Sequence, residues 1–341
     1  MRLAAKAPAM THANRLRMAD TLPAVRPISL AKIEAARRRI AGTIARMPLV
    51  KLELGSDSPE IYLKLENLQP INSFKLRGAA NAVATLPESR RAEGVWTISA
   101  GNAGQGVAFA AREARVPCTV LVIETAPATK VERMRALGAT LVMAPFDACW
   151  EALERREFPG IGGTFVHPFD DDDFIAGNAS IGLEIAEDLP NVDVVIAALG
   201  GGGLLTGIAT AIKARLPNIR VLGAEPETAA PGSVSFARGR ASTFDGWQAT
   251  FVDGAGGKSV FPRMWERMKA VVDGCVVVTL DETRRAMKTI AEKARVIAEG
   301  AGALSVAAAL SGRVQTRGPI VAVVSGGNID LAAFCELTSS V

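Results

Sequence analysis

Residues 192–204 read VDVVIAALGGGGL, an apolar run that leads directly into four consecutive glycines. A short run rich in Val, Ile and Ala and closed by a turn signal is typical of a strand buried in a parallel sheet. A helical pattern follows from Leu204 to Leu216. Strand, glycine turn and helix in this order form the repeating unit of doubly wound α/β sheets.

The same alternation extends in both directions along the chain. The other predicted strands are Glu60–Leu65, Val95–Ser99, Cys118–Ile123, Thr140–Ala144, Arg220–Glu225 and Ile320–Val324. The other predicted helices are Leu30–Ala45, Gln105–Ala114, Lys130–Leu137 and Asp281–Gly300. We therefore predict an α/β protein with two doubly wound open sheets.

Composition narrows the classes of function. The net charge of +4 comes from residues 1–26, because the rest of the chain has 34 basic and 34 acidic residues. No basic cluster indicates nucleic-acid binding, and no segment approaches the ~18 apolar residues of a membrane span. Residues 1–25 are expected to form a solvated basic tail; a targeting segment and a misassigned start are the alternatives.

Cysteine and histidine usage predicts neither a disulfide framework nor a zinc site. The four cysteines are widely scattered without a CxxC pair, and the chain has only two histidines. We expect no metal and a reducing, cytoplasmic location.

The glycine turn at residues 200–203 is the clearest candidate binding site. Consecutive backbone N–H groups at a helix N-terminus suit an anion of the size of phosphate, whereas a plain tight turn needs fewer glycines. The G-x-G-x-x-G spacing of dinucleotide loops is absent here. Gly257-Lys258-Ser259 resembles the end of a P-loop, but Val252 stands where its first glycine is required.

Two further segments offer chemistry. Residues 99–105, between a predicted strand and a helix, present small residues and amide donors that suit a carboxylate. Lys75 follows Ser73, which could cap a helix, so its amine is expected beside unpaired N–H groups that disfavour the charged form. A neutral amine is what Schiff-base chemistry requires.

Six ordered motifs make the chain, from about Leu30 onward, resemble the fold-type II pyridoxal-phosphate enzymes of the serine/threonine dehydratase family. They are SFKLRGA (73–79), SAGNAGQGVA (99–108), HPFDDDDFIAGN (167–178), GGGGLLTG (200–207), AEGAGA (298–303) and SGGN (325–328). The resemblance implies a tryptophan-synthase-beta-like architecture and a homodimer. It also implies a large cofactor domain of residues 26–70 and 160–341 and a small domain of residues 71–159.

The resemblance also assigns roles to residues. Lys75 would form the Schiff base with pyridoxal 5'-phosphate and then act as acid and base at Cα. The other cofactor contacts would be Asn102 at the phenolic oxygen, Gly200, Gly201, Gly202, Gly203 and Leu204 at the phosphate, Ser325 at the pyridine nitrogen, and Glu299 near the ring. The substrate would meet Ser99, Gly101, Ala103, Gly104 and Gln105, with Asp253 beside it.

The hydroxyl of Ser325 favours one type of reaction. A neutral group need not hold a proton on the ring nitrogen, so the ring is a weaker electron sink and elimination is favoured over transamination. The implied reaction converts a β-hydroxy-α-amino acid to a 2-keto acid and ammonia. Racemisation, β-replacement and cofactor binding without lyase activity are the alternatives.

Three departures from the family pattern matter. Ala103-Gly104 stands where the dehydratases carry His-Ala, which predicts either a roomier pocket that admits 3-phenylserine as well as L-threonine or L-serine, or a gap filled by a neighbouring side chain. Ala100 replaces the second acid/base serine of the racemases. Pro231 replaces the aspartate that completes a metal site with Glu225 in metal-dependent relatives.

Other conspicuous residues receive structural interpretations. His167 and the run Asp170–Asp173 are expected to be structural, as a buried histidine and a turn or helix start. The chain ends soon after the SGGN motif, so we expect no C-terminal regulatory domain.

Overall fold

The computed structural model describes residue 22 and residues 24–55, 58–339 and 341. The predicted basic tail over residues 1–25 therefore lies almost entirely outside the described residues. Within the described part, no helix is both long enough and apolar enough to cross a membrane.

The described residues form ten strands and thirteen α-helices in an alternating order. The strands are β1 (Leu49–Lys51), β2 (Ile61–Lys64), β3 (Val95–Ile98), β4 (Cys118–Ile123), β5 (Thr140–Ala144), β6 (Thr164–Phe165), β7 (Val194–Ala198), β8 (Arg220–Pro226), β9 (Cys275–Val278) and β10 (Ile320–Val323). The helices are α1 (Leu30–Ile40), α2 (Lys75–Ala84), α3 (Glu88–Arg91), α4 (Asn102–Ala114), α5 (Ala128–Ala136), α6 (Phe146–Arg155), α7 (Asp172–Asp188), α8 (Gly203–Lys213), α9 (Pro231–Arg238), α10 (Pro262–Met268), α11 (Leu280–Ala294), α12 (Gly300–Leu310) and α13 (Leu331–Ser339).

The strands form two sheets, which confirms the predicted fold class. The larger sheet has the order β1-β2-β10-β7-β8-β9 and is parallel except for β1, which pairs antiparallel with β2. The smaller sheet has the order β5-β4-β3-β6 and is parallel throughout. Parallel strands end at the same edge, so the loops that follow them collect at one place, as binding sites of open α/β sheets require.

Both sheets are covered by helices on both faces. Val194 and Ile196 of β7 contact the cluster built around α11 and α12, while the alternate residues Val195 and Ala197 contact the cluster around α7 and α8. Side chains of a strand alternate between faces, so a strand buried on both sides must be apolar throughout. This explains why residues 192–199 show no polar alternation.

The predicted helix Asp281–Gly300 is wrong only at its C-terminal end, because α11 ends at Ala294. A capping box between Thr279 and Glu282 starts α11, but Arg295 adopts a left-handed conformation with φ of 60° and ends it. A new helix, α12, begins only at Gly300. Glycine or asparagine usually occupies a left-handed position at a helix end, so an arginine there carries no stop signal in the sequence.

Strand β6 lies at the edge of the smaller sheet. It pairs with β3, so residues 164–165 belong to that sheet. The division into a large and a small domain stays a prediction.

Candidate active site

Lys75 is the first residue of α2, and its amine lies at the wall of a cavity of about 490 Å³. Its Nζ donates a hydrogen bond to the carbonyl oxygen of Pro168 at 2.7 Å. The rings of Phe74 and Phe174 lie 5.3 Å and 5.5 Å from the same atom. Among the described residues no carboxylate forms an ion pair with it, and burial lowers the pKa of Lys75 to about 8.

The predicted cap by Ser73 is only partly present. Ser73 Oγ accepts a long hydrogen bond of 3.4 Å from the Lys75 N–H, and Phe74 occupies the N-cap position of α2. The backbone N–H of Phe74 instead donates to the carbonyl oxygen of Ser325 at 3.0 Å. This contact places the start of α2 beside the loop that follows β10.

The four glycines form the opposite wall of the cavity. Gly202 has a φ of +90°, which side chains rarely adopt, and α8 begins at Gly203. A Cβ on Gly201 would lie 2.3 Å from the Phe169 ring, and one on Gly203 would lie 2.7 Å from the Phe169 carbonyl oxygen. The glycines are therefore required by space as well as by conformation, and they leave backbone N–H groups at a helix N-terminus for an anion.

The loop after β3 supplies a third side of the cavity. Ser99, Gly101 and Ala103 line the cavity as predicted, together with Asn102, and Ser99 Oγ accepts from the Gly101 N–H at 3.0 Å. Gln105 is buried elsewhere in α4 and does not line the cavity, and its Nε2 has no partner among the described residues.

Gly104 also turns away from the cavity. A Cβ at this position would lie 2.4 Å from the Met134 sulfur. The Met134 side chain of α5 thus fills the space beside Gly104. Ala103, which stands where the dehydratases carry His, lines the cavity, so both explanations for Ala103-Gly104 stay predictions.

The buried side chains of Ser325 and Glu299 also line the cavity. Asn102 Nδ2 donates to Glu299 Oε1 at 2.7 Å. Burial, and to a lesser degree the charge of Asp253, raise the pKa of Glu299 to about 7.

The sequence interpretation missed parts of this cavity. Lys130 forms an ion pair with Asp253 at the cavity wall, and the position of Lys130 near the carboxyl end of β4 was the available signal. An aromatic row also lines the cavity, with Phe261 5.3 Å from Phe169 and 5.4 Å from Trp150 between ring centroids. These aromatic residues come from distant segments, and no local pattern joins them.

The residues interpreted as structural take structural positions. His167 Nδ1 accepts from the backbone N–H groups of Phe169 and Asp170, and burial lowers the pKa of its ring well below the usual value. Asp171 caps α7, while the buried carboxylate of Asp170 pairs with Arg156. The described residues contain no cluster of side chains that could hold a metal ion.

The site fits pyridoxal phosphate. A buried amine, a glycine cradle that admits no side chain, and a buried hydroxyl at Ser325 meet in one cavity, and they match the aldehyde, the phosphate and the ring nitrogen of that cofactor.

Comparisons with known proteins agree with this fit. Residues 40–326 match the family model described as "Pyridoxal-phosphate dependent enzyme". The chain is 42% identical over 309 residues to an L-threonine ammonia-lyase of Thermotoga maritima, which covers 89% of this chain and 76% of that protein. It is 39% identical over 319 residues to the L-threonine dehydratase catabolic TdcB of Staphylococcus aureus, with 91% and 92% covered.

Among solved structures, maize serine racemase superposes with a TM-score of 0.83 at 30% identity, covering 92% of this chain and 98% of that chain. The residues that match the family model include five of the six motifs in full, the first two residues of the sixth (SGGN, 325–328), and every strand of both sheets. The chain therefore belongs to the pyridoxal-phosphate dependent enzyme family, with pyridoxal phosphate as its cofactor and with L-threonine ammonia-lyases and dehydratases among its relatives.

Proposed function

We propose that this chain is a pyridoxal-phosphate-dependent ammonia-lyase that removes the β-hydroxyl of a β-hydroxy-α-amino acid and yields a 2-keto acid and ammonia. The observation that carries the proposal is the meeting of Lys75, the glycine loop and Ser325 in one cavity. Relatives at about 40% identity that are named for threonine support the same reaction.

When bound, pyridoxal phosphate supplies an electron sink that stabilises negative charge at the Cα of the amino acid. Lys75 would hold the cofactor through its amine and, once released by the substrate, would take the proton from Cα. A pKa of about 8 leaves a substantial neutral fraction of this amine near neutral pH, which a general base requires. The backbone N–H groups of residues 200–203 and the N–H of Leu204 would hold the phosphate.

The remaining residues would orient the substrate and set the reaction type. Ser99, Gly101 and Ala103 would meet the substrate carboxylate, while Gly104 and Gln105, which do not line the cavity, would act only by shaping α4. Ser325 offers a neutral hydroxyl rather than a carboxylate, which favours elimination.

Elimination is favoured over racemisation by one specific residue. Ala100 lines the cavity, and its methyl group cannot deliver a proton to the second face of Cα. This bears on the choice because a serine racemase is among the structural neighbours. Incubation with L-serine should yield pyruvate and little D-serine; D-serine as the main product would contradict this choice.

The substrate is proposed as L-threonine, L-serine or 3-phenylserine. Ala103 leaves the cavity without the imidazole that the dehydratases carry, and Trp150, Phe261 and Ile98 give the cavity an apolar wall that suits a phenyl group. The values of kcat/KM for threonine and phenylserine decide the matter, and a clear preference for threonine contradicts the phenyl assignment.

The central test combines a spectrum with an assay. The purified protein should absorb near ~410–420 nm, the range expected of the protein-bound cofactor, and should release 2-keto acid from a hydroxy amino acid. Lys75→Ala should lose both the activity and the covalent attachment that borohydride fixes. A protein that binds the cofactor but releases no ammonia from any such substrate would instead be a binding protein.

A homodimer and a cytoplasmic location are proposed together with this function. The homodimer rests on the family resemblance alone, and the location rests on that resemblance and on the cysteines, which form no disulfide in the described part of the chain.

A further inference from the structure

A chain of hydrogen bonds between polar side chains runs from the surface of α5 into the cavity. The Arg133 guanidinium donates to Asn328 Oδ1 at 2.7 Å. Asn328 Nδ2 donates to Asn102 Oδ1 at 2.7 Å, and Asn102 Nδ2 in turn donates to Glu299. Arg133 and Asn102 lie on helices beside the smaller sheet, whereas Asn328 and Glu299 lie on segments of the larger one, so the contacts cross the cleft three times.

The orientation of the Asn328 amide follows from its partners. Both hydrogens of its Nδ2 are used, one on Asn102 Oδ1 and one on the Ile71 carbonyl oxygen at 2.8 Å. Its Oδ1 faces Arg133, and a guanidinium can only donate. If the amide turned by 180°, its NH₂ group would face the Arg133 guanidinium, so that two donors would meet. Its Oδ1 would then face the Ile71 carbonyl oxygen, so that two acceptors would meet.

The Asn102 amide takes its orientation from Asn328. Its Oδ1 faces the Asn328 NH₂ group, so its own NH₂ group faces Glu299 and one N–H remains for the cavity. Glu299 alone cannot impose this orientation, because a carboxyl group that carries a proton can donate as well as accept. Burial raises the pKa of Glu299 to about 7, so the protonated form is present near neutral pH.

We propose that Arg133 is a positioning residue that, acting through Asn328, holds the Asn102 amide with its remaining N–H available to the phenolic oxygen of the cofactor. The inference rests on the proposed cofactor site but not on the identity of the substrate. Without Arg133, only Ile71 opposes rotation of Asn328, and both amides can turn together. The oxygen of Asn102 then replaces its N–H in the cavity and faces another acceptor.

Position 133 is well suited to a test because Arg133 is exposed, so its substitution leaves the core intact. Arg133→Leu removes the donor, whereas Arg133→Lys keeps a group that can only donate. Arg135→Leu is the matched control, because Arg135 is exposed on the same helix and pairs only locally with Glu132.

The holoenzymes would be dialysed to equilibrium against graded pyridoxal phosphate, and their absorption maxima recorded. Arg133→Leu should bind the cofactor about 3- to 10-fold more weakly, the scale of one lost hydrogen bond, and its absorption maximum should shift. Arg133→Lys should restore most of the affinity and the maximum of the unaltered protein, and Arg135→Leu should match that protein in both.

A double-mutant cycle tests whether Arg133 acts through Asn102. In an Asn102→Ala background, Arg133→Leu should cause no further loss of cofactor affinity. Three results would overturn the proposal: an Arg133→Leu protein that matches Arg135→Leu, an undiminished effect in the Asn102→Ala background, or a melting temperature of the cofactor-free Arg133→Leu protein well below that of Arg135→Leu. An unaltered protein that binds no cofactor would instead contradict the proposed function.

Discussion

The environment of the Lys75 amine raises its neutral fraction above that of an ordinary lysine. Its Nζ touches a backbone carbonyl oxygen and two aromatic rings, and burial lowers its pKa to about 8. The desolvation cost of an ammonium group in such a place exceeds what one neutral acceptor returns. The fold thus prepares this amine for reaction without a neighbouring base.

The rate of covalent cofactor attachment should therefore depend on pH in a specific way. Only the unprotonated amine attacks the aldehyde, so in protein stripped of cofactor the rate constant should rise about tenfold per pH unit below pH 8 and level off above it. An ordinary lysine would keep gaining rate up to about pH 10.4. Rapid-mixing absorbance measurements check this, and a profile without a break near pH 8 would disprove it.

Glu225, which could have been one ligand of a metal site, binds the N-terminus of a helix in this structure. Its Oε1 accepts from the Gly232 N–H and its Oε2 from the Ser233 N–H, each at 2.7 Å, so the carboxylate caps α9. Burial raises the pKa of Glu225 to about 7. A cation at this place would have to displace both backbone donors, and Pro231 offers it no second carboxylate.

We therefore expect activity to be independent of divalent cations at this place. Dialysis against EDTA should leave kcat and KM unchanged, and added Mg²⁺ or Ca²⁺ should not raise them. Glu225→Gln, which keeps one acceptor for the helix, should respond in the same way. Activity lost on chelation and restored by a cation, but not in Glu225→Gln, would contradict this prediction.

At the scale of elements, the strand–turn–helix unit β7–α8 depends on contact with Phe169 in the segment that precedes α7. The contact leaves no room for side chains at Gly201 or Gly203. A helix N-terminus offers an anion several N–H groups only if the turn can fold tightly around it.

Gly201→Ala should thus weaken binding of the cofactor without unfolding the protein. The added methyl group must displace the Phe169 ring, and overpacking of this kind costs typically about 1–3 kcal/mol. Gly162→Ala is the control, because nothing lies within 4 Å of a Cβ built there. Spectrophotometric titration with pyridoxal phosphate should show weaker binding for Gly201→Ala and unchanged binding for Gly162→Ala. Equal affinity in the two variants would contradict the proposal that residues 200–203 hold the phosphate.

At the scale of the whole molecule, a buried ion network joins the two sheets. Arg77 of α2 donates to Glu66, which follows β2, and to Glu184 of α7, with all four N···O distances between 2.7 and 2.9 Å. Lys64 of β2 pairs with Glu184 as well, at 2.7 Å. Burial acts to lower the pKa of Arg77, but the charges of Glu66 and Glu184 outweigh it and raise the pKa above the ordinary value.

Removing one partner should destabilise the entire fold. Arg77→Met leaves the buried carboxylate of Glu66 without a cation and Glu184 with Lys64 alone, and it should lower the free energy of unfolding by about 3–5 kcal/mol. Arg90→Met, which breaks only an exposed pair with Glu93, should change it by less than about 1 kcal/mol. Urea unfolding of both variants provides the comparison, and a similar small loss in each would show that the network contributes little.

Local pattern predicted most strands within one or two residues, since burial on both faces demands continuous apolar runs. It failed at Arg295, whose left-handed conformation ends α11 six residues before the predicted end at Gly300. Local pattern also did not show which residues of α4 face the cavity. Local sequence shows that Gly104 and Gln105 follow a binding loop, but only the packing of Met134 shows that Gly104 faces away from the cavity.

The sequence by itself determined the α/β class, because that class depends on short-range periodicity, and it predicted the roles of the glycine turn and of Lys75 from ordered motifs. Only the tertiary structure revealed the aromatic wall, the ion pair of Lys130 with Asp253, and the contacts from Arg133 to Asn102. Each of these contacts pairs residues more than 90 positions apart in sequence. Such pairs arise when two sheets close on one another, and a hydrogen bond acts over about 3 Å in space regardless of separation along the chain.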